Sequence, residues 1–96
     1  MKNMIKNQID FKKDLYKKQY PNGQLAVFVH DYSGEPIAEL SIMQDSVELS
    51  PNEFILKDYS ENKEIVRELL ESNLLLPTNR FILISSHLCP ICQIAY

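Results

Sequence analysis

The chain has 96 residues, 45% of them apolar, a net charge of −3 and two cysteines, so it can build one core and has no room for a second domain. No stretch approaches the roughly 20 consecutive apolar residues of a membrane span, and lysine- and asparagine-rich Met1 to Asp10 holds no apolar run of the kind an export signal needs. Cys89 and Cys92 lie close together near the end instead of being spread as a secreted disulfide framework would be, so a soluble, cytoplasmic protein is expected.

Met1 to Tyr20 is ambiguous: Ile9 and Phe11 alternate as in a strand, whereas Phe11, Leu15 and Tyr16 would line one face of a helix. Residues 1–19 are expected to be a lysine-rich arm or edge strand ahead of a single domain over 20–96. Pro21-Asn22-Gly23 joins a fixed φ to an Asn-Gly pair tolerant of positive φ, which predicts a tight turn. Gln24 to His30, rich in β-branched and aromatic residues, predicts a strand. A loop of turn formers from Asp31 to Pro36 and a second alternating run, Ile37 to Met43, complete a β-hairpin. An irregular stretch around Val47 to Asn52 leads to the short apolar run Phe54-Ile55-Leu56.

Ser60 as N-cap, Glu61 and Glu64 in the first turn, and Ile65, Val66, Leu69, Leu70 and Leu74 at helical spacing predict an amphipathic helix over about 60–74, with Pro77 ending the pattern. Phe81 to Ser85 predicts a last core strand, and His87 to Tyr96 is apolar enough to pack. A helix cannot bury its stripe alone, so the expected fold class is α+β: a small antiparallel sheet of three to five strands with the helix on one face.

Few residue groups suggest chemistry. Cys89-Pro90-Ile91-Cys92 has the spacing of a zinc half-site, with His87 a third ligand, but a fourth is lacking. Two buried thiols are the simpler expectation, with no metal and no cofactor. Ser85 and Ser86 next to His87 have no glycine-rich elbow around them, and Gly23 and Gly34 are too few for a phosphate cradle. No enzyme is expected.

The charges are segregated. Residues 1–18 set Lys2, Lys6, Lys12, Lys13, Lys17 and Lys18 against Asp10 and Asp14, a balance of +4. Between residues 31 and 71 eleven acids face Lys57, Lys63 and Arg67, a balance of −8. Lys12, Lys13, Lys17 and Lys18, interleaved with Phe11, Tyr16 and Tyr20, would suit a nucleic acid, although an acidic chain is repelled by phosphates elsewhere. The acids suit a basic protein surface instead.

Tyr20-Pro21-Asn22-Gly23-Gln24-Leu25-Ala26, Gly34-Glu35-Pro36-Ile37-Ala38-Glu39-Leu40, Asn52-Glu53-Phe54 and the Cys89-Pro90 tail resemble an uncharacterised family of small proteins from bacterial phages, plasmids and conjugative elements. The resemblance covers residues 20–96 and implies a genomic setting without an activity. In that setting, within the bacterial host cell, a stoichiometric inhibitor of a host defence system, of anti-CRISPR type, is expected. Its partner would be a host protein or nucleoprotein complex, met through Glu35, Glu39, Asp45, Glu48, Glu53, Asp58, Glu61, Glu64, Glu68 and Glu71. The alternatives are a small nucleic-acid-binding accessory protein using the lysine arm, a zinc-stabilised interaction domain, and a homodimer.

Overall fold

The computed structural model describes residues 15–95. Among the described residues seven strands and one α-helix form an α+β fold: β1 (Tyr16–Gln19), β2 (Leu25–His30), β3 (Pro36–Glu39), β4 (Ser41–Ile42), β5 (Glu53–Leu56), α1 (Lys63–Glu71), β6 (Leu75–Ile84) and β7 (His87–Ile94). The strands make two antiparallel sheets instead of the single one expected, a three-stranded sheet in the order β1-β2-β3 and a four-stranded sheet in the order β4-β5-β7-β6.

The split happens at Leu40. The run expected as one strand over Ile37 to Met43 leaves β2 after Glu39 and re-pairs with β5 from Ser41. Leu40 itself donates its N–H to Val27 O at 2.8 Å and accepts from Lys57 N at 2.7 Å, so its backbone is held by both sheets while its side chain is fully buried. Ser41 Oγ completes the joint by accepting from Val27 N at 2.8 Å. A chain that bends between sheets loses its alternation: Ala38 packs on the main core and Ile42 on a second cluster.

The hairpin turns follow from local chemistry. Tyr20 to Gly23 closes with Gly23 N to Tyr20 O at 2.9 Å, and Asp31 to Gly34 repeats the arrangement with Gly34 N to Asp31 O at 3.0 Å. Both are three-residue loops ending in a glycine, with φ of 90° at Gly23 and 93° at Gly34. Asp31 Oδ1 further accepts from the N–H groups of Ser33 and Glu35, which holds its carboxyl below the usual carboxylate range, the Ser33 hydroxyl contributing most. The third hairpin, β6 to β7, turns through Ser85 and Ser86 at φ 46° and 75°, without a glycine.

Ser60 is not the N-cap expected; it has φ 58° and opens a 3-10 turn over Ser60–Asn62 that runs into α1. The helix ends at Glu71, earlier than the pattern suggested, because Asn73 takes φ 60°. Leu74 N reaches Leu69 O at 3.0 Å and Asn73 N reaches Leu70 O at 3.1 Å, a Schellman ending. Pro77 is therefore not the terminator. It lies inside β6, which tolerates it as an edge strand, beside a register shift where Asn79 has φ 68°.

Ile65, Val66 and Leu69 of α1 are buried with Val27, Val29, Leu40, Phe54, Leu56, Leu75 and Cys92, so the helix seals the line where the two sheets meet. Each such side chain contributes about 1.5–3 kcal/mol. Leu70 and Leu74 are half-buried at its margin. Ile55, Cys89 and Ile91 head a smaller cluster on the other face of the four-stranded sheet. Phe81 and Leu83, expected in a final core strand, are instead exposed.

Candidate functional site

The ten acids do not share one face. Glu35 lies at the end of the β2–β3 turn, while Glu39 ends β3 with its carboxylate bound by the Tyr20 hydroxyl. Asp45 and Glu48 belong to the loop between β4 and β5, where Asp45 Oδ1 accepts from Asn22 Nδ2 at 2.8 Å. That loop is ordered by Gln24, whose Nε2 donates to Gln44 O and Val47 O, both at 2.9 Å, and whose Oε1 accepts from Gln44 N at 2.9 Å.

Glu53 leaves the set of contact residues. It is buried and its two carboxylate oxygens engage Arg80 at 3.0 and 3.2 Å, while Ser50 N donates to Oε1 at 3.1 Å. The Ser50 N–H, helped by the Arg80 guanidinium, holds this carboxyl below its usual range despite burial. Sequence placed Glu53 in the acidic run; only the fold turns it inward.

Five acids gather around the helix. Asp58 and Glu61 precede α1, and Glu64, Glu68 and Glu71 follow at intervals of four and three, which puts the last three on one side. At a rise of about 1.5 Å per residue this row is about 10 Å long. Arg67 pairs with Glu64, and Lys57 Nζ meets Glu61 Oε2 at 3.4 Å. The Glu61 carboxyl sits below its usual range, chiefly through its own backbone N–H and then Lys57. Beside the row, Asp58, Lys63, Val66, Arg67 and Leu70 line an open cleft of about 490 Å³ with half-exposed Leu70 as an apolar contact.

Asn62 fixes this helix in place. Its buried side chain donates Nδ2 to Glu39 O at 2.9 Å and Lys57 O at 3.0 Å, tying the start of α1 to the ends of β3 and β5.

Lys12 and Lys13 lie outside the described residues. Lys17 and Lys18 are neighbours on β1 and so project to opposite faces, Lys17 across from Val27 and Lys18 across from Ala26. Lys18 shares its face with Tyr16, Phe28 and His30. The Tyr16 and His30 rings stack at 4.3 Å, and Lys18 Nζ sits 5.8 Å from the Tyr16 ring. This aromatic face was missed because its members are far apart in sequence and the β1–β2 register alone joins them.

The Cys89 to Cys92 spacing does not make a half-site on a strand. Residues three apart point to opposite faces, and Cys92 lies in the main core while Cys89 lies in the second cluster. Burial, with a smaller push from Asp58, raises both thiols above the ordinary range, Cys92 to about 12. His87 stacks flat on Tyr59 at 3.7 Å. Among the described residues no three His, Cys, Asp or Glu side chains converge as metal ligands, and no helix is long and apolar enough to cross a membrane. Ser85 and Ser86 are exposed turn residues.

One further surface was not anticipated: Phe81, Leu83 and Leu88 are 56%, 67% and 62% exposed on the β6–β7 hairpin. Comparison of the chain with protein-family models, curated proteins and solved structures finds no match.

Proposed function

We propose that this chain is a non-enzymatic protein-binding module that presents the acidic side of α1 to a basic surface on its partner. Glu64, Glu68 and Glu71 stand in a row on a helix whose opposite side is locked into the core, next to the Leu70 cleft. That observation carries the reading. A fixed row of carboxylates loses little entropy on docking, steers a basic partner toward it, and sets register by charge. The protonated, buried thiols and a His87 ring committed to Tyr59 support binding over catalysis.

With the resemblance to proteins of phages and plasmids, the partner is a host defence protein or nucleoprotein in the bacterial cytoplasm, whose nucleic-acid groove the carboxylates occupy in place of phosphates. The module acts stoichiometrically, as anti-CRISPR inhibitors do. The test is capture from host lysate with the wild type and with Glu64→Lys, Glu68→Lys and Glu71→Lys combined. A specific partner retained by the wild type and lost by the variant, with melting of the variant unchanged within a few degrees, is the expected result. A partner held equally by both overturns the reading.

A second reading rests on the Tyr16, Lys18, Phe28 and His30 face, which offers rings for base stacking beside a cation. It predicts that single-stranded DNA is retarded in a gel, with retardation weakened by salt and by Tyr16→Ala with Lys18→Gln.

A further inference from the structure

The hairpin of β6 and β7 carries a surface that neither reading uses. We infer that the Arg80–Ile84 part of β6 is a self-pairing edge, through which two copies of this chain join their four-stranded sheets into one. No strand among the described residues lies beyond β6 in its sheet. The first half of that edge is spoiled for pairing by Pro77, which has no N–H, and by the register shift up to Arg80 with Asn79 at φ 68°. The second half carries neither obstacle.

The direction of its backbone groups follows from the turn. A two-residue loop closes on a hydrogen-bonded pair, here Ile84 with His87, and such pairs alternate along the ladder. Ile82 and Arg80 therefore bond to β7, while the N–H and C=O groups of Phe81 and Leu83 face the open edge. Pro90 fits this phase, since it lies opposite Phe81 at a position where no N–H is needed toward β6.

An antiparallel second copy meets these groups without adjustment. With the two-fold axis at Ile82, Phe81 of each chain exchanges two hydrogen bonds with Leu83 of the other. The same pairing sets Phe81 beside Leu83 across the seam, flanked by Leu88, so three exposed apolar side chains per chain become one cluster of six. The segment is its own complement, which is what a two-fold interface requires.

Charge favours the same occupant. Residues 80 to 90 contain no acid, and their one full charge, Arg80, is paired with Glu53. Two chains of net charge −3 can approach along this edge while their acidic helices, packed near Leu75 at the other end of β6, stay apart. Each of the three side chains offers roughly 100 Å² of exposed surface, hence roughly 600 Å² for the pair before the strand edges are added. That apolar area is about half of the roughly 1,200 Å² at the lower end of specific interfaces, so the dimer is a weak one, held by the added strand pairing, with a Kd on the order of 100 micromolar.

Sedimentation velocity across a concentration series spanning that range tests the inference, together with amide exchange read by NMR. The expected result is a monomer–dimer equilibrium, with the Phe81 and Leu83 amides becoming protected as dimer forms. Leu83→Lys should raise the Kd by at least about tenfold, whereas Met43→Lys, another exposed apolar residue away from this edge, should leave it unchanged. The helix variant Glu64→Lys should also dimerise normally, which keeps this inference separable from partner capture. A protein that stays monomeric throughout, a dimer indifferent to Leu83→Lys, or equal loss with Met43→Lys overturns it.

Discussion

Replacing Asn62 with Ala removes a side chain that bonds the start of α1 to both sheets. The two hydrogen bonds it donates, to Glu39 O and Lys57 O, contribute about 1 kcal/mol each, and the buried carbonyls left behind add a desolvation penalty of similar size. Against this, Asn62 Oδ1 is buried without a hydrogen-bond partner, so its removal relieves part of that cost. The net loss is about 2–3 kcal/mol, which for a domain of this size lowers Tm by roughly 10–20 °C. Urea denaturation followed by circular dichroism measures it as a shift in midpoint at constant slope. Asn62→Asp sharpens the test, because a carboxylate would face two carbonyl oxygens and its folded pKa would lie above the ordinary value. Its penalty is then smallest in acid and grows as pH rises past about 4. An Asn62→Ala variant within about 0.5 kcal/mol of the wild type, or an Asn62→Asp penalty that ignores pH, refutes the reasoning.

Burial first, and then the bond to Glu39, push the Tyr20 hydroxyl from 10.0 up to about 12. The stability that goes with the protonated hydroxyl is present below pH 10 and lost between 10 and 12; Tyr20→Phe, costing about 1 kcal/mol at neutral pH, should show a weaker alkaline loss by urea midpoint. Cys89 and Cys92 are buried and hard to ionise, so Ellman's reagent should label neither in the native state and both in denaturant, and EDTA should leave melting unchanged. Ser86→Gly at φ 75° should stabilise the protein by about 0.5–1 kcal/mol, read from the same midpoints, since glycine adopts that conformation without a Cβ penalty.

Local rules carried the reading of the chain wherever the deciding atoms are near in sequence. The two glycine-ended turns, the β2–β3 hairpin and the apolar stripe of Ile65, Val66 and Leu69 were all legible, because turn chemistry and helical periodicity act within a few residues. The pool of acids was legible too, but which of them share one side, Glu64, Glu68 and Glu71, followed only from the bounds of α1.

Tertiary structure decided what depends on remote partners. Leu40 switches sheets because Val27 and Lys57 bond its backbone from both sides, and no pattern within Ile37 to Met43 encodes that bend. Glu53 turns inward because Arg80, far along the chain, waits there as counter-charge. Cys89 and Cys92 part company because their segment is a strand, where residues three apart face opposite ways; the same spacing on a loop would let them converge. Sequence alone settled the two glycine-ended turns, the presence of the helix with its buried stripe, and the charges, since those forces are short-ranged. Which surfaces they present was settled by pairing between distant strands.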